Sequence, residues 1–93
     1  MVLYSKHIIL ESEEFDGFLE LEHGKIQGIH KSWEGSYEDY SNCVILPGFI
    51  DIHVHGWATG SFWYEKTEES LRKMCHTLPF SGVTSYLGTT GAD

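Results

Sequence analysis

At 93 residues, the chain can form one small domain with a modest core. Fourteen acidic residues against six Lys and Arg leave a formal net charge of −8, which argues against binding to a nucleic-acid backbone or an anionic membrane surface. The two cysteines, Cys43 and Cys75, occur without the features of a secretory signal, and no apolar run approaches the roughly 18 residues of a membrane helix. We therefore expect a cytoplasmic globular protein with reduced thiols, and neither a nucleic-acid nor a membrane partner.

The first 42 residues favour β-structure, because short apolar segments alternate with acidic turns. In the segment FLELE, Leu19 and Leu21 alternate with glutamates, which is the period of a half-buried strand. Gly24 can adopt the positive φ that a short hairpin needs, so the following strand is expected to return antiparallel. The predicted elements are a strand over residues 2–10, an acidic turn region over 11–17, a strand over 18–22, a tight turn at His23-Gly24, a strand over 25–29 with a bulge at Gly28, and a loop over 30–42.

From residue 43 onward the chain becomes more apolar and more β-branched. Pro47-Gly48 is expected to separate two extended pieces. In the second piece, Ile50, Ile52 and Val54 alternate with polar residues, so we expect these three side chains to pack on one face of a buried strand. A Gly- and aromatic-rich loop over residues 57–66 is predicted to follow.

The segment TEESLRKMCHTL predicts an amphipathic helix over residues 67–78. Thr67 is its expected N-cap, and Pro79 is expected to end it. Residues 82–89 are β-rich and uncharged, which predicts a second buried strand. Because a strand, a helix and a second strand form a βαβ unit, we expect the two strands to lie parallel. The apolar stripe of the helix that is expected to enter the core consists of Leu71, Met74, Cys75 and Leu78.

Two histidines one residue apart follow the apolar strand in the segment FIDIHVHG. Residues i and i+2 of a strand point to the same face, so the imidazoles of His53 and His55 can share one metal ion. Asp51 falls on the same face, one step deeper in the strand. A metal could organise this polar triplet, and backbone carbonyls could also satisfy the imidazoles, so the spacing by itself leaves both interpretations open.

The segment LPGFIDIHVHG resembles the first barrel strand of the metal-dependent amidohydrolase superfamily, in which a Pro-Gly-Phe-Ile-Asp-x-His-x-His segment opens a (β/α)8 barrel. The upstream LELEHGKIQGI is similar to the hairpin of the small β-sandwich that precedes this barrel in many members. Gly56 and the later SGVTSYLGTT resemble the N-acetylglucosamine-6-phosphate deacetylase family within this superfamily. Cyclic-amidase relatives more often carry a bulkier or charged residue after the second histidine.

The resemblance implies an α/β protein with a β-rich amino-terminal part. Residues 1–46 would form part of the small β-sandwich domain, and residues 47–93 would form the first β-α-β unit of a TIM-type (β/α)8 barrel. Because a complete barrel takes about 250 residues, the chain is expected to be an amino-terminal fragment that is inactive by itself. The full-length protein is expected to be a homodimer.

The resemblance also implies a site and a reaction. His53 and His55 would bind a divalent metal, with zinc preferred over iron, manganese or cobalt, and Asp51 would support these ligands or pack inside the barrel. The complete enzyme would bind a small amino-sugar phosphate and convert N-acetylglucosamine 6-phosphate to glucosamine 6-phosphate and acetate. The family's other metal ligands and its catalytic aspartate would lie beyond residue 93, so no catalytic residue is expected within the chain.

Two other functions stay open on the sequence. Another amidohydrolase, acting on a cyclic amide or an aminopurine, would share the histidine pair, although Gly56 speaks against it. A free-standing, non-catalytic β module with one βαβ appendage could instead serve in binding or scaffolding.

The other candidate residues carry weaker signals. Both cysteines are expected to be small core residues. Four histidines without ligand spacing are expected in exposed or capping roles: His7, His23, His30 and His76. Aromatic residues after the histidine pair could stack on a sugar ring or pad the end of the barrel: Trp57, Phe62, Trp63 and Tyr64. Threonines near the end of the last strand could line a pocket, and β-propensity explains them equally well: Thr84, Thr89 and Thr90.

Overall fold

A computed structural model of the chain describes residues 1–57 and 62–89, apart from the side chains at positions 62 and 63. The chain separates into two compact units, Met1–Pro47 and Gly48–Asp93. The break falls at Pro47-Gly48, where the sequence predicts two extended pieces to separate. We refer to these as the amino-terminal unit and the carboxyl-terminal unit.

The amino-terminal unit is a mixed β-sheet. Its five strands are β1 (Val2–Ile9), β2 (Glu14–Glu22), β3 (Lys25–His30), β4 (Glu38–Asp39) and β5 (Val44–Ile45). The first three form an antiparallel meander, and the two short strands β4 and β5 lie parallel to β1 at its other edge. The β-rich amino-terminal part is therefore confirmed, with two corrections. β2 begins inside the predicted acidic turn region, and β4 lies inside the predicted 30–42 loop. Both segments pair with β1. This pairing cannot be predicted from their composition, which is typical of turns.

The hairpin between β2 and β3 confirms the predicted tight turn. His23 and Gly24 both have positive φ, at 54° and 72°. A two-residue loop with both residues in this region matches the twist of the flanking strands. The pairing register slips by one residue at Gln27, so β3 has the predicted bulge, one residue before the expected position at Gly28.

Ser5, which the sequence pattern does not single out, is fully buried in β1. Its hydroxyl donates a hydrogen bond to the carbonyl of Cys43 at 2.6 Å and accepts one from the backbone N–H of His7 at 2.9 Å. The pairing of β1 with β2 shifts register at this point. The hydroxyl therefore bonds the backbone where the ladder is interrupted. The buried apolar residues of the unit are Val2, Ile8 and Leu19.

The carboxyl-terminal unit contains two parallel strands joined through helices. Its elements are β6 (Phe49–Val54), α1 (Phe62–Glu65), α2 (Glu68–Thr77), a 3-10 turn (Leu78–Ser81) and β7 (Val83–Gly88). β6 and β7 are hydrogen-bonded parallel neighbours, as expected for the βαβ unit. α1 lies inside the predicted 57–66 loop, because a single helical turn is too short to leave a periodic pattern. No helix within the described ranges, 1–57 and 62–89, is long and apolar enough to cross a membrane.

The longer helix begins as its sequence predicts. Thr67 caps α2 by accepting a hydrogen bond from the backbone N–H of Ser70 at 3.2 Å. The α-helix ends at Thr77 and tightens into the 3-10 turn, which has Pro79 in its first turn, where a missing N–H removes no helical hydrogen bond. Gly82 then reverses the chain with a positive φ of 85°.

The core of the carboxyl-terminal unit lies where α2 packs against the end of β6. Val54, Met74 and Leu78 are buried together, and Val83 and Tyr86 of β7 pack against them. Met74 has no exposed surface. Among the residues that the structure describes, Val54, Met74 and Leu78 therefore form the centre of this unit.

Several residues that the sequence pattern places in the core are exposed instead. Ile50 and Ile52 of β6 are 68% and 73% exposed, because the core contacts of α2 are made with the Val54 end of the strand. The stripe of α2 that enters the core is also rotated from the predicted one, and it runs through Ser70, Met74 and Leu78. Leu71, Cys43 and Cys75 are likewise exposed.

Candidate metal centre

His53 and His55 lie at the carboxyl end of β6, beside the end of β7. His53 is the penultimate residue of the strand and is exposed, while His55 follows the strand and is partly buried. The pairing of β6 with β7 is irregular between Asp51 and Val54, so the strict alternation of faces assumed for a regular strand does not apply here. The two imidazoles nevertheless meet.

The rings approach each other through the same nitrogen. The Nε2 atoms of His53 and His55 are 3.3 Å apart, and the ring planes are nearly perpendicular, at 88°. Zinc–nitrogen bonds measure about 2.0–2.1 Å, so two nitrogens bound to one tetrahedral ion lie about 3.3 Å from each other. The separation of the two Nε2 atoms therefore fits two ligands of a single ion.

A backbone carbonyl fixes the proton of His55. The Nδ1 atom of this residue lies 2.6 Å from the carbonyl oxygen of Thr89. Because a carbonyl oxygen can only accept a hydrogen bond, Nδ1 carries the proton, and neutral His55 keeps Nε2 as its unprotonated nitrogen. Metal-binding histidines are commonly held by an oxygen acceptor in this way.

The same geometry also accommodates a hydrogen bond between the two rings. In that arrangement, His53 carries its proton on Nε2 and donates it to Nε2 of His55. In both arrangements, Nε2 of His55 is the unprotonated nitrogen that faces His53.

Asp51 contacts the backbone rather than an imidazole. Its Oδ1 accepts a hydrogen bond from the backbone N–H of His53 at 3.0 Å. This contact lies where the pairing with β7 becomes irregular. The carboxylate therefore stabilises the backbone that carries His53, and a role for Asp51 in supporting bound metal stays a prediction.

Two imidazoles supply half of a tetrahedral coordination shell. Within the part of the chain that the structure describes, no group of three or more His, Cys, Asp and Glu side chains is placed to hold a metal ion. The histidine pair therefore matches two ligands of a tetrahedral site, and the described residues add no third.

Two other histidines pair with glutamates across the amino-terminal sheet. His7 contacts Glu14 between β1 and β2, and Nε2 of His30 lies 3.0 Å from Glu20 between β2 and β3. Each pair joins one imidazole to one carboxylate near the surface. These contacts favour strand pairing over metal binding for both histidines.

The remaining aromatic and threonine candidates are dispersed. Trp57 and Tyr64 are 46% and 82% exposed, and Thr84 is exposed on β7. Stacking of these aromatic residues on a sugar stays a prediction. Outside the described part of the chain lie Thr90 and the side chains of Phe62 and Trp63.

The contribution of Thr89 is not apparent from the sequence. Its type suggests a pocket residue that acts through its side chain, whereas the structure brings its backbone carbonyl onto His55. A backbone acceptor has no sequence signature of its own. The available signal is the parallel βαβ topology, which brings the carboxyl ends of both strands to the same edge of the sheet.

A concave surface also lies in the amino-terminal unit. It is an open groove of about 540 Å³, and its lining includes Trp33, Glu34, Tyr37 and Glu38 but no histidine or cysteine. Met1 also lines the groove, but the groove contains neither an imidazole nor a thiolate, so it offers no counterpart of the histidine pair. The histidine pair remains the candidate metal centre.

Comparison with curated proteins finds a relative for most of the chain. The chain is 36% identical over 91 aligned positions to the N-acetylglucosamine-6-phosphate deacetylase of Bacillus subtilis (strain 168). The match covers 89% of this chain and 22% of that protein, so the chain spans about a fifth of the length of this relative. No family model and no solved structure matches the chain. The chain is thus similar to part of a deacetylase.

Proposed function

We propose that the protein is a metal-dependent amidohydrolase in which His53 and His55 bind a divalent metal ion. The observation that carries this proposal is the 3.3 Å separation of the two Nε2 atoms, with the proton of His55 held on Nδ1. The similarity to a deacetylase supports it, because removing an acetyl group from an acetylated amino sugar is the hydrolysis of an amide bond.

The substrate that we propose is N-acetylglucosamine 6-phosphate, converted to glucosamine 6-phosphate and acetate. Support for it comes from the name of the relative and from Gly56 directly after the histidine pair, a position that is bulkier or charged in many cyclic amidases. We also propose that the complete protein acts in the cytoplasm as a homodimer.

The residues of the chain fit a metal in two respects. Thr89 accepts from Nδ1 of His55 and Asp51 accepts from the backbone N–H of His53, and the two Nε2 atoms lie 3.3 Å apart. A divalent ion held there, zinc in our proposal, would lower the pKa of a bound water toward about 7 and polarise the amide carbonyl. We place the remaining ligands and the proton-transferring carboxylate outside these 93 residues.

We further propose that residues 1–46 are part of a small β-sandwich and that residues 47–93 begin a (β/α)8 barrel. Parallel pairing of β6 and β7 through α2 is the repeating geometry of such a barrel. Active sites of these barrels lie at the carboxyl ends of the strands, which is where the histidine pair is found.

Replacing both histidines tests the proposed function. In His53→Ala/His55→Ala, we expect bound metal to be lost and kcat/KM for acetate release to fall by about 100-fold or more, because metal activation of water contributes several kcal/mol to transition-state stabilisation. Elemental analysis and an acetate assay on the complete protein measure the two effects. His76→Ala, at an exposed position of α2, is the matched control and should change neither.

Wild-type metal content and rate in the double variant would contradict the proposal. The two histidines would then serve strand packing and hydrogen bonding only. Metal loss without any change in the hydrolysis of N-acetylglucosamine 6-phosphate would instead reject a catalytic role for that metal.

A further inference from the structure

We infer that Thr89 is a positioning residue for this metal centre. Its hydroxyl fixes the end of β7 against Val54, and its carbonyl thereby holds His55 in the tautomer that binds a metal through Nε2. The identity of the ligand rests on the proposed function. The tautomer of His55 can be measured without any metal.

Thr89 is hydrogen-bonded to both the carbonyl and the N–H of Val54 in β6. Its N–H donates a hydrogen bond to the carbonyl of Val54 at 2.8 Å, and its Oγ1 accepts one from the N–H of Val54 at 3.3 Å. The hydroxyl proton is donated to the carbonyl of Leu87 at 3.2 Å. The hydroxyl thus acts as both donor and acceptor, and it fixes Thr89 against the residue that immediately precedes His55.

Removing the hydroxyl leaves a poorly solvated donor behind. Val54 is only 7% exposed, so its N–H has little access to water once Oγ1 is gone, and an unsatisfied buried donor is destabilising. A shift of residue 89 would allow water to reach the N–H of Val54 and accept its hydrogen bond. The same shift would move the carbonyl of Thr89 away from Nδ1 of His55, which now lies 2.6 Å from it.

The consequence for His55 is a change of tautomer. Without the carbonyl of Thr89 at Nδ1, the proton can occupy Nε2, the nitrogen that faces His53. That proton must be displaced before Nε2 binds a metal ion, so metal affinity falls. Loss of the oxygen partner of a metal-binding histidine typically weakens metal affinity by about 10- to 100-fold.

Two substitutions separate the hydroxyl from the shape of the side chain. Thr89→Val is isosteric and removes the hydroxyl, whereas Thr89→Ser keeps it. Thr84→Val, at an exposed threonine of β7, the strand that Thr89 follows, is the matched control. Nitrogen NMR of the His55 ring reports the tautomer in the metal-free protein, with His55→Gln used to assign the signals. Competition with a chelator gives the dissociation constant for Zn²⁺.

We expect the proton on Nδ1 of His55 in the wild type, in Thr89→Ser and in Thr84→Val. In Thr89→Val, the proton should move wholly or partly to Nε2, and Zn²⁺ should bind about 10- to 100-fold more weakly. Rescue by serine distinguishes the effect of the hydroxyl from a general loss of packing.

A wild-type His55 with its proton on Nε2 would overturn the inference, even if Thr89→Val fails to fold. An unchanged tautomer and Zn²⁺ affinity in folded Thr89→Val would overturn it as well and leave the proposed function intact. If Thr89→Val changes the tautomer but the wild type does not bind Zn²⁺ through the histidine pair, fixation of His55 by Thr89 stands and the proposed function fails.

Discussion

The two units of the chain are organised by different contacts. In the amino-terminal unit, β1, β2 and β3 follow one another along the chain and pair as antiparallel neighbours. In the carboxyl-terminal unit, the parallel strands β6 and β7 are separated by helices, and the buried apolar cluster among the described residues contains Val54, Met74 and Leu78. Pairing between successive strands organises the first unit, whereas a crossover and a small cluster of side chains organise the second.

This difference indicates where each unit is sensitive to substitution. Among the described residues, each unit buries three apolar side chains. Those of the carboxyl-terminal unit pack on one another, so removing one of them leaves a cavity beside the others. In the amino-terminal unit, backbone hydrogen bonds between successive strands contribute as well. The candidate metal centre lies in the carboxyl-terminal unit. Functional segments are commonly found in the less stable parts of a protein, where polar groups replace apolar packing.

The largest expected effect on stability is at Met74, which is 0% exposed. Met74→Ala should lower the free energy of unfolding by about 2–5 kcal/mol, because it removes buried apolar surface and leaves a cavity. Hydrogen exchange should show protection lost in the carboxyl-terminal unit and retained in the amino-terminal unit. Leu71→Ala, on an exposed face of the same helix, is the control and should cost less than about 1 kcal/mol.

Simultaneous loss of protection in both units of Met74→Ala would contradict the expectation that the two units are stabilised separately. It would show that the two units unfold as one cooperative body.

A second substitution tests whether the amino-terminal sheet has a sensitive position of its own. A Cβ at Gly17 would overlap the carbonyl oxygen of His30 and the ring of Phe15, so Gly17→Ala should destabilise this unit by about 1–3 kcal/mol. Gly24→Ala meets no nearby atom, but its positive φ of 72° is strained for alanine, and it should cost about 1–2 kcal/mol. Thermal unfolding followed by circular dichroism measures both, and wild-type stability of Gly17→Ala would exclude the close approach at Gly17.

A smaller effect is expected at the start of α2. Thr67→Ala removes the oxygen that accepts from the N–H of Ser70, and it should lower the free energy of unfolding by about 1 kcal/mol. Thr67→Ser retains this acceptor and should stay close to the wild type. Urea unfolding of the three proteins tests the difference, and equal midpoints for alanine and serine would show that the cap does not contribute.

The smallest expected effect is a pH dependence in the alkaline range. The hydroxyl of Tyr4 donates a hydrogen bond to Asp16 at 2.9 Å, and this bond raises the pKa of Tyr4 above its ordinary value of about 10. Because the folded state favours the protonated phenol, its contribution is present below pH about 10 and is lost as the pH rises through the folded pKa. The melting temperature of Tyr4→Phe should therefore fall less than that of the wild type above pH about 10.

Tyr86 provides the counterpart in the carboxyl-terminal unit. The contact of its hydroxyl with the thiol of Cys75 raises the pKa of Tyr86 as well. Tyr86→Phe should therefore reduce the alkaline sensitivity of that unit in hydrogen exchange. An identical alkaline loss in wild type and variant would show that this contact does not influence stability.

Local structure could be predicted from the sequence where it depends on neighbouring residues. The turn at His23-Gly24, the cap at Thr67 and the parallel βαβ order are confirmed. Each follows from a short-range cause: a positive φ, a hydroxyl acceptor beside a helix start, or an apolar period.

Burial was less predictable, because it depends on what covers a side chain. Ile50 and Ile52 have the alternation of a buried strand and are nevertheless exposed, since α2 packs on the Val54 end of β6. The buried position taken by Ser70 on α2 was likewise not expected from its polarity. A sequence pattern identifies apolar residues but does not specify the rotation of the helix that packs on them.

For the candidate metal centre, the two histidines and their spacing at the end of a strand, His53 and His55, follow directly from the sequence. The 3.3 Å separation of their Nε2 atoms and the contact of Nδ1 of His55 with the carbonyl of Thr89 depend on the tertiary structure. The second result depends on Thr89, 34 residues further along the chain, which the parallel strand β7 brings beside β6. Every residue has a backbone carbonyl, so no sequence pattern marks the one that faces an imidazole, and its placement follows from strand pairing alone.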